Sequence, residues 1–376
     1  MKIDGKTSHN SPSLRFPEFT GEWEEFSLGE IGDSFIGLTY KPTDTVPSGG
    51  IIVFRSSNIQ DGCIDYKDIV RVNKKVRENL ITKNGDLLIC ARNGSSRLIG
   101  KNALLHRTDA NQTFGAFMMV FRSDKNHFVH HLLNTKRYTS QVAENLGARI
   151  NQITSSDLSS FRFFFPKDDK EMTRIASLFD LLDGRIAVQN RLIDRLQSLM
   201  IGIAQKIAHS NKPNVRISDC LECSSSALQE SEVNKTGKYP VYGANGIVGY
   251  IDKYHTQNEA IYIIKDGSGV GGVSYVTGKC SSTGTLNILQ AKNGHSLKYL
   301  YYLLKVFNFV PYKTGMAIPH IYFKDYGKAK IFCPAYPEQL EYAKLLSSID
   351  GNLRIALDSL KNFNLQKQYL LRHMLI

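Results

Sequence analysis

One sequence feature constrains the fold of this chain more than any other, namely a heptad pattern that occurs twice. In the first copy, positions spaced alternately three and four residues apart are apolar from Phe179 to Ile207, except at Gln189. The second copy starts at Leu346, 167 residues after Phe179, and its only polar position is Lys367. This spacing is typical of a coiled-coil interface. The sequence therefore predicts two long helices that arose by internal duplication.

Each predicted helix is the most suitable partner for the other. An apolar stripe this narrow suits a second helix better than the wide surface of a domain. In the alternative interpretation, each stripe packs on a neighbouring globular domain instead. The predicted interface positions are Phe179, Leu182, Ile186, Gln189, Ile193 and Leu196 in the first helix, and Leu346, Ile349, Leu353 and Leu360 in the second.

The segments before each helix also repeat. Short apolar runs separated by glycine, such as 51–54, 87–91 and 260–264, predict strands, so the fold class is mixed α+β with an internal pseudo-two-fold repeat. Five residues that close the second segment lie 168 positions after their counterparts, namely Gly315, Ile318, Ile321, Asp325 and Pro334 after Gly147, Ile150, Ile153, Asp157 and Pro166. The predicted divisions are a polar tail (1–13), a first domain (14–167), a first helix (168–212), a second domain (213–334) and a second helix (335–376).

The positive charge of the chain is concentrated in the two predicted globular domains. The formal net charge is +12, of which residues 1–167 and 213–334 carry +5 each, whereas each helical segment carries +1. Two basic domains joined by nearly neutral helices favour binding of a polyanion at two places. A solvated basic surface without a partner is the alternative.

No segment of the sequence predicts export or membrane insertion. No apolar run approaches the length of about 20 residues that a membrane span requires. The first 13 residues lack the apolar core of a signal peptide. The six cysteines, spread over 376 residues, are typical of reduced thiols. These features predict a cytoplasmic protein without a membrane partner.

The chain resembles the specificity subunits of type I DNA restriction–modification enzymes, from about Leu14 to Ile376. The resemblance depends on the opening residues 14–31 (LRFPEFTGEWEEFSLGEI), the Gly-x-x-Ile-x-x-Ile pattern that closes each domain, and the duplicated helices. It implies two target-recognition domains joined by an antiparallel coiled coil, each recognising one half of a bipartite double-stranded DNA site. It also implies methyltransferase and restriction (translocase) subunits as partners. S-adenosylmethionine, ATP and magnesium would be bound by those partners, and no cofactor by this chain.

The sequence contains no convincing catalytic or metal-binding motif. Residues 267–272 match Gly-x-Gly-x-x-Gly, but the apolar run that follows predicts a strand, whereas a dinucleotide site requires a helix. Cys220-x-x-Cys223 is a single pair, and structural zinc needs four ligands. His127, His130 and His131 are interpreted as surface residues. We therefore predict no catalytic residue and no metal site.

Candidate DNA contacts are polar or basic residues in loops that correspond between the two domains. Arginine can pair with guanine, and asparagine or glutamine with adenine, whereas lysine and serine more often contact phosphates. The candidates are Arg55, Asn58, Arg92, Asn93, Ser95, Arg97, Arg149, Asn151 and Gln152 in the first domain, and Tyr242, Asn245, Lys265, Ser268 and His320 in the second. Two alternatives remain at this level: a two-domain scaffold that binds proteins without DNA specificity, and an independent enzyme that could depend on zinc.

Overall fold

The computed structural model describes residues 10–148 and 151–376. The chain divides into two compact units. The first unit comprises the chain up to Ala187 together with Lys361–Ile376, and the second comprises Val188–Leu360. Two long helices, Asp169–Ala208 and Tyr336–Met374, each contribute one part to each unit.

The first unit combines short strands with helices. Its strands are β1 (Glu24–Ser27), β2 (Asp33–Ile36), β3 (Ile51–Phe54), β4 (Ile59–Gln60), β5 (Cys63–Ile64), β6 (Val70–Val72), β7 (Leu87–Cys90), β8 (Asn102–Leu104), β9 (Thr113–Phe114), β10 (Met118–Arg122) and β11 (Arg162–Phe165). Its helices are α1 (Leu28–Ile31), α2 (Asn126–Leu132), α3 (Lys136–Ala148), α4 (Ser155–Ser160), the first part of α5 (Asp169–Ala208) and the last part of the second long helix, from Lys361 onwards.

The second unit has the same mixture of elements. Its strands are β12 (Val215–Arg216), β13 (Leu221–Ser225), β14 (Tyr239–Gly243), β15 (Gly246–Ile251), β16 (Glu259–Ile264), β17 (Val273–Thr277), β18 (Ser281–Ser282), β19 (Leu286–Ala291) and β20 (Lys330–Ile331). Its helices are the second part of α5, α6 (Ile217–Cys220), α7 (Leu297–Val306), α8 (Phe323–Tyr326) and the first part of α9 (Tyr336–Met374).

The two units share one sheet topology. The four-stranded antiparallel sheet has the order β2-β10-β7-β8 in the first unit and β13-β19-β16-β17 in the second. Each unit also has a three-stranded sheet of the same kind. Its central strand, β3 or β14, is antiparallel to one neighbour and parallel to the other. A two-stranded pair, β1–β11 or β12–β20, is also common to both units, and the first unit has in addition the antiparallel pair β4–β5. The predicted internal repeat of two domains is therefore present in the fold.

Buried apolar strands explain why the frame holds together. All four residues of β7 and the middle four of β16 are buried, as expected for central strands covered on both faces. The predicted strands at 51–54, 87–91 and 260–264 are confirmed within one residue. The predicted strand after the glycine-rich stretch 267–272 is also confirmed, as β17.

Backbone hydrogen bonds define which residues of the two units correspond. The Ile153 N–H donates to the Ala91 carbonyl at 2.9 Å, and the Ile321 N–H donates to the Lys265 carbonyl at the same distance. Isolated bridges pair Arg92 with Gln152 and Asp266 with His320. Arg92 therefore corresponds to Asp266, and the sequence match of Arg92 to Lys265 was wrong by one residue. Similarity between the loops is too low to reveal a one-residue shift.

The long helices contribute to the core of each unit. In the first unit, Phe179 and Leu182 of α5 lie in one apolar cluster with Met374 of α9. In the second unit, Ile193 and Met200 of α5 share a cluster with Leu346 and other residues of α9. Gln189 donates from Nε2 to the Ala356 carbonyl at 2.9 Å, and Lys367 contacts Asp183 at 2.5 Å. Both polar positions of the heptad pattern thus have hydrogen-bonding partners.

The interpretation of three histidines as surface residues was wrong for two of them. His131 is completely buried, with Nε2 2.9 Å from Asp180 Oδ1, and His130 is buried with Nδ1 3.1 Å from Asn102 Oδ1. Only His127 is exposed. Within the first unit His131 thus faces α5 and His130 faces β8, which sequence spacing alone did not indicate.

Within the described residues, no helix is long and apolar enough to cross a membrane. The six cysteines are free, as the sequence predicted.

Candidate DNA interface

Hydrogen bonds join three loops of the first unit at the ends of β3 and β7. The Asn93 N–H points to the Asn151 carbonyl at 3.4 Å, and Asn151 Nδ2 donates to the Gly94 carbonyl at 3.3 Å. Asn93 Nδ2 also donates to Ser56 Oγ at 3.0 Å. We call residues 55–58, 92–97 and 151–152 the first loop cluster. Candidate contacts that are far apart in sequence therefore meet, apart from Arg149, which lies outside the described residues.

Arg92 is the best-placed candidate for contacting a base in the first loop cluster. Its side chain is exposed and its guanidinium lies over the ring of Phe117, 5.3 Å from the centroid. Phe117 itself is 59% exposed. Stacking on an aromatic ring restrains a guanidinium without using its N–H donors. Phe117 was not among the predicted residues, because one phenylalanine in an apolar run is indistinguishable from a core residue.

The other candidates of this cluster differ in how accessible they are. Ser95 and Arg97 are exposed, and Gln152 is half-buried. The Ser95 N–H donates to Asn93 Oδ1 at 3.0 Å, which shapes the turn. Asn151 adopts a left-handed backbone conformation with φ of 49°, which asparagine tolerates better than most residues. Asn93 and Asn151 therefore also have a structural part in building the loop.

The proposed base contact from Asn58 conflicts with its surroundings. Asn58 is completely buried, and its Nδ2 donates to the carbonyls of Asp65 and Asp68 at 3.0 and 2.8 Å. Its Oδ1 accepts the Arg55 N–H at 2.9 Å. Every polar atom of this side chain is thus occupied in holding the loop. Arg55 is partly committed as well, because Nη2 pairs with Asp68 Oδ2 at 2.7 Å.

The corresponding surface of the second unit carries different side chains on the same backbone. Lys265 and Ser268 flank Asp266, and the Gly267 N–H donates to the Pro319 carbonyl at 2.9 Å. His320 pairs with Thr314 through two backbone hydrogen bonds of 2.8 and 2.9 Å, and its ring lies edge-on to Tyr322. We call residues 265–268 and 314–320 the second loop cluster. It contains the predicted candidates Lys265, Ser268 and His320, and a backbone bridge joins Asp266, next to Lys265, to His320.

The remaining two candidates of the second unit lie in and next to β14. The Tyr242 ring packs against Tyr262, and burial raises the pKa of Tyr242. Its carbonyl accepts the Thr283 N–H at 2.9 Å, and the Lys265 N–H donates to the Thr285 carbonyl at 3.0 Å. Asn245 is exposed in the tight turn between β14 and β15. Asn245 is therefore more accessible to a ligand than Tyr242.

Two further surface features were missed at the level of sequence. In the second loop cluster, no signal predicted that Met316 would be fully exposed and Ile318 67% exposed. In the first unit, a groove of about 550 Å³ is lined by Lys74, Lys75 and Arg77. The sequence Lys-Lys-x-Arg at 74–77 was a detectable basic signal for that groove.

All predicted heptad positions are buried or half-buried. Those that are buried are Phe179, Leu182, Ile193, Leu346, Ile349 and Leu353, and those that are half-buried are Ile186, Gln189, Leu196 and Leu360. Outside this stripe, the part of α5 in the second unit exposes Val188, Leu192 and Leu199, at 56%, 44% and 50%. These three residues lie four and seven positions apart and therefore share one face of the helix.

Comparison of the sequence with models of protein families shows the class of protein to which the chain belongs. The model of the type I restriction modification DNA specificity domain matches the chain twice, over residues 20–198 and 210–362. Each match covers one unit's globular part, and together they include most of the chain. The chain therefore belongs to the family of type I restriction–modification specificity proteins, with two repeated specificity domains.

Similarity to individual proteins agrees with this membership. The chain is 23% identical over 193 residues to the type I restriction enzyme StySPI specificity subunit of Salmonella potsdam, which covers 49% of this chain and 41% of that protein. It is 25% identical over 123 residues to a putative type I restriction enzyme specificity subunit of Haemophilus influenzae, covering 32% of each. The matched part therefore spans less than half the length of either relative.

A solved structure shows the same fold along nearly the whole chain. The crystal structure of a type I restriction–modification system S subunit from M. genitalium matches with a TM-score of 0.71 and 17% sequence identity. The match covers 97% of this chain and 99% of that chain. At this identity the likeness concerns the fold, and the loop residues are not transferable.

Proposed function

We propose that this chain is the DNA-recognition subunit of a type I restriction–modification complex. Each unit would recognise one half of a bipartite, asymmetric site on double-stranded DNA. The observation that carries the proposal is that equivalent backbone positions in two equal frames have different side chains, such as Arg92 and Asp266. A symmetric pair of identical domains would require a palindrome, whereas two unlike loop clusters would not.

The chemistry of the two loop clusters supports unlike half-sites. Arg92 can donate two hydrogen bonds to guanine, whereas an aspartate at the equivalent position can accept a hydrogen bond from the cytosine amino group. Gln152 offers an amide suited to adenine, whereas the Asn93 amide is bonded to Ser56 and to the Ser95 N–H. Arg97, Lys265 and Ser268 are suited to the phosphate backbone, which positions a protein but carries no sequence information. The net charge of +12 would support this electrostatic part of binding.

The long helices would form an antiparallel coiled coil that relates the two units by a pseudo-two-fold axis and sets the distance between half-sites. Antiparallel packing is supported within the second unit. Gln189 contacts Ala356, and Met200, further along α5, lines a groove with Leu353, which lies earlier on α9. The charged pair Asp183–Lys367 supports the same direction within the first unit.

Methyltransferase subunits would dock on the helices, and restriction subunits would join through them. The exposed face formed by Val188, Leu192 and Leu199 is suited to this role, because exposed apolar residues aligned along a helix favour burial against a partner. The partners would bind S-adenosylmethionine, ATP and magnesium and perform the chemistry. This chain would contribute no catalytic residue, and the complex would work on cytoplasmic DNA.

The proposal is tested by mapping methylated bases across the genome with the gene intact and deleted. We expect deletion to remove one methylation motif with two unlike parts separated by a fixed gap. Replacing residues 213–334 by those of another family member should then change one part and leave the other. If the methyltransferase subunits are still expressed after the deletion and the same motif is still methylated, the proposal is wrong.

The spacing role has its own test. Inserting one heptad after Ala187 and one after Leu360 lengthens both helices by about 10 Å, or roughly three base pairs, and rotates the faces by only about 20°. We expect a longer gap between unchanged half-sites. A matched control inserts seven Gly/Ser residues between Gly49 and Gly50, in an exposed loop. An unchanged gap in a folded, active heptad variant would contradict the spacing role.

A further inference from the structure

Three side chains of types that can ligate a metal, distant from one another in sequence, meet in the second unit away from the second loop cluster. Cys220 ends α6, His295 lies just before α7, and Cys333 lies between β20 and α9. Their potential ligand atoms all lie within 4.8 Å of one another. Cys333 Sγ is 3.6 Å from His295 Nδ1. Two thiols and an imidazole are the donors that zinc prefers in proteins.

Hydrogen bonds to the backbone hold each of the three residues in place. The Cys333 N–H donates to Asn214 Oδ1 at 2.8 Å, and its carbonyl accepts Asn214 Nδ2 at 2.7 Å. The Cys220 carbonyl accepts the Lys292 N–H at 2.9 Å, and the His295 N–H donates to the Lys292 carbonyl at 3.2 Å. The same turn thus positions two of the three ligands. A site formed in advance costs little conformational entropy when an ion binds.

Burial and charge suit a divalent cation at this place. Cys220 is completely buried and Cys333 is 7% exposed, whereas His295 is half-buried. On binding, each thiol would release its proton to solvent, so that two thiolates neutralise the charge of Zn²⁺. With a neutral imidazole as third ligand, one tetrahedral position remains for water.

The first unit shows that the fold does not itself require thiols at this point. The pair Val215–Ile331 occupies the position of Phe26–Phe163, so Cys220 corresponds to Ile31 and Cys333 to Phe165. Ile31 and Phe165 belong to an ordinary apolar cluster. The second unit has thiols where the first has two apolar residues, and it has a histidine beside them.

We propose that Cys220, His295 and Cys333 bind one zinc ion, with a water molecule as fourth ligand. The ion would fasten the start of α9 to the globular part of the second unit. Because the site is independent of the loops, it does not rest on the proposed DNA recognition. The sequence pair Cys220-x-x-Cys223 does not form this site, since Cys223 lies on β13 with Sγ 3.6 Å from the Ser224 carbonyl.

The test uses the purified full chain, reduced and freed of metal by a chelator that is then removed. Titration with Co²⁺ should give a thiolate-to-cobalt charge-transfer band that saturates at one ion per chain and disappears when Zn²⁺ is added. In Cys333→Ser and His295→Ala, affinity should fall at least about tenfold, since losing even a group that orients a ligand costs that much. The matched control Cys223→Ser should keep the band.

A second measurement needs no variant. In the unaltered chain, zinc should slow alkylation of Cys220 and Cys333 at least about tenfold relative to Cys223, as determined by mass spectrometry of the peptides, and should raise the melting temperature. The proposal is overturned if the reduced chain shows no charge-transfer band, or if zinc leaves the alkylation of Cys220 and Cys333 unchanged. Equal loss of the band in Cys223→Ser and Cys333→Ser would also overturn it.

Discussion

The two units of this protein share one sheet topology and differ in the side chains of their loops. Ile153 and Ile321 are both buried at the same point and donate the same backbone hydrogen bond. The residue that follows the acceptor of this bond is Arg92 in the first unit and Asp266 in the second. Burial and strand pairing constrain the first kind of position, whereas solvent-exposed loops leave the second kind free to vary. A duplicated domain can therefore acquire two specificities without changing its fold.

The largest effect, a loss of stability, is expected at the buried positions that the two units share. Ile153→Ala and Ile321→Ala should each lower the free energy of unfolding by about 3 kcal/mol, because each leaves a cavity in a buried cluster. Urea unfolding measures this, and Trp23, the only tryptophan, reports on the first unit. Ile247→Ala is a suitable control, since Ile247 is 53% exposed. If one unit tolerates the change and the other does not, the frames are not equivalent.

The next largest effect concerns the loops. Arg92→Ala should cost about 1–3 kcal/mol of base discrimination and relax one position of one half-site, because a bidentate contact is lost. Asp266→Ala is the matched variant and should relax one position of the other half-site only. Methylation motifs of cells that carry each variant provide the measurement. Two variants that alter the same half-site would refute the assignment of one unit to each half.

The difference between buried positions and exposed loops also explains which features the sequence predicted. The heptad positions were predictable, because periodic apolar residues are buried for reasons that a sequence displays directly. The loop assignments were not. Asn58 and Arg92 look equally suitable in sequence, but Asn58 is buried with all its polar atoms bonded, whereas Arg92 is exposed on Phe117.

Contacts between distant segments were also invisible. Cys220 was paired with Cys223 by sequence spacing, whereas the fold brings it to Cys333 and His295. His131 was assigned to the surface, but Asp180, 49 residues further on, bonds to it inside the first unit. Such pairings depend on strand order and helix packing, which local patterns do not encode.

A smaller effect should distinguish the units by pH. The α2 helix of the first unit buries His130, whereas α7 of the second buries tyrosines such as Tyr299 and Tyr302. Burial and the nearby His131 and Lys367 lower the pKa of His130 to about 3. Between pH 6.5 and 3 the unfolded chain therefore binds a proton that the folded chain does not. The free energy of unfolding should fall by about 1.4 kcal/mol per pH unit below 6.5 from this group.

Urea unfolding at pH 6.5 and 5.5, followed by Trp23 fluorescence, measures this slope. His130→Asn should reduce it, even if the variant is less stable at both pH values. His209→Asn is the control, because His209 is exposed. An unchanged slope in His130→Asn would show that another group causes the acid sensitivity of the first unit.

The smallest effect is expected for lysines that contact phosphates, because such contacts position the protein on DNA without recognising its sequence. Lys75 lines the basic groove of the first unit, and Lys253 is an exposed lysine after β15, the strand that corresponds to β6 just before Lys75. If both lysines contact phosphates, Lys75→Ala and Lys253→Ala should each weaken DNA binding by the assembled complex by less than about 1 kcal/mol at physiological salt. Each should also reduce the slope of log affinity against log salt by about 0.9, because one counterion fewer is released. Neither should change the methylation motif. A motif change in Lys75→Ala would place that lysine with Arg92 among the residues that contact bases, and would make the basic groove part of the first half-site.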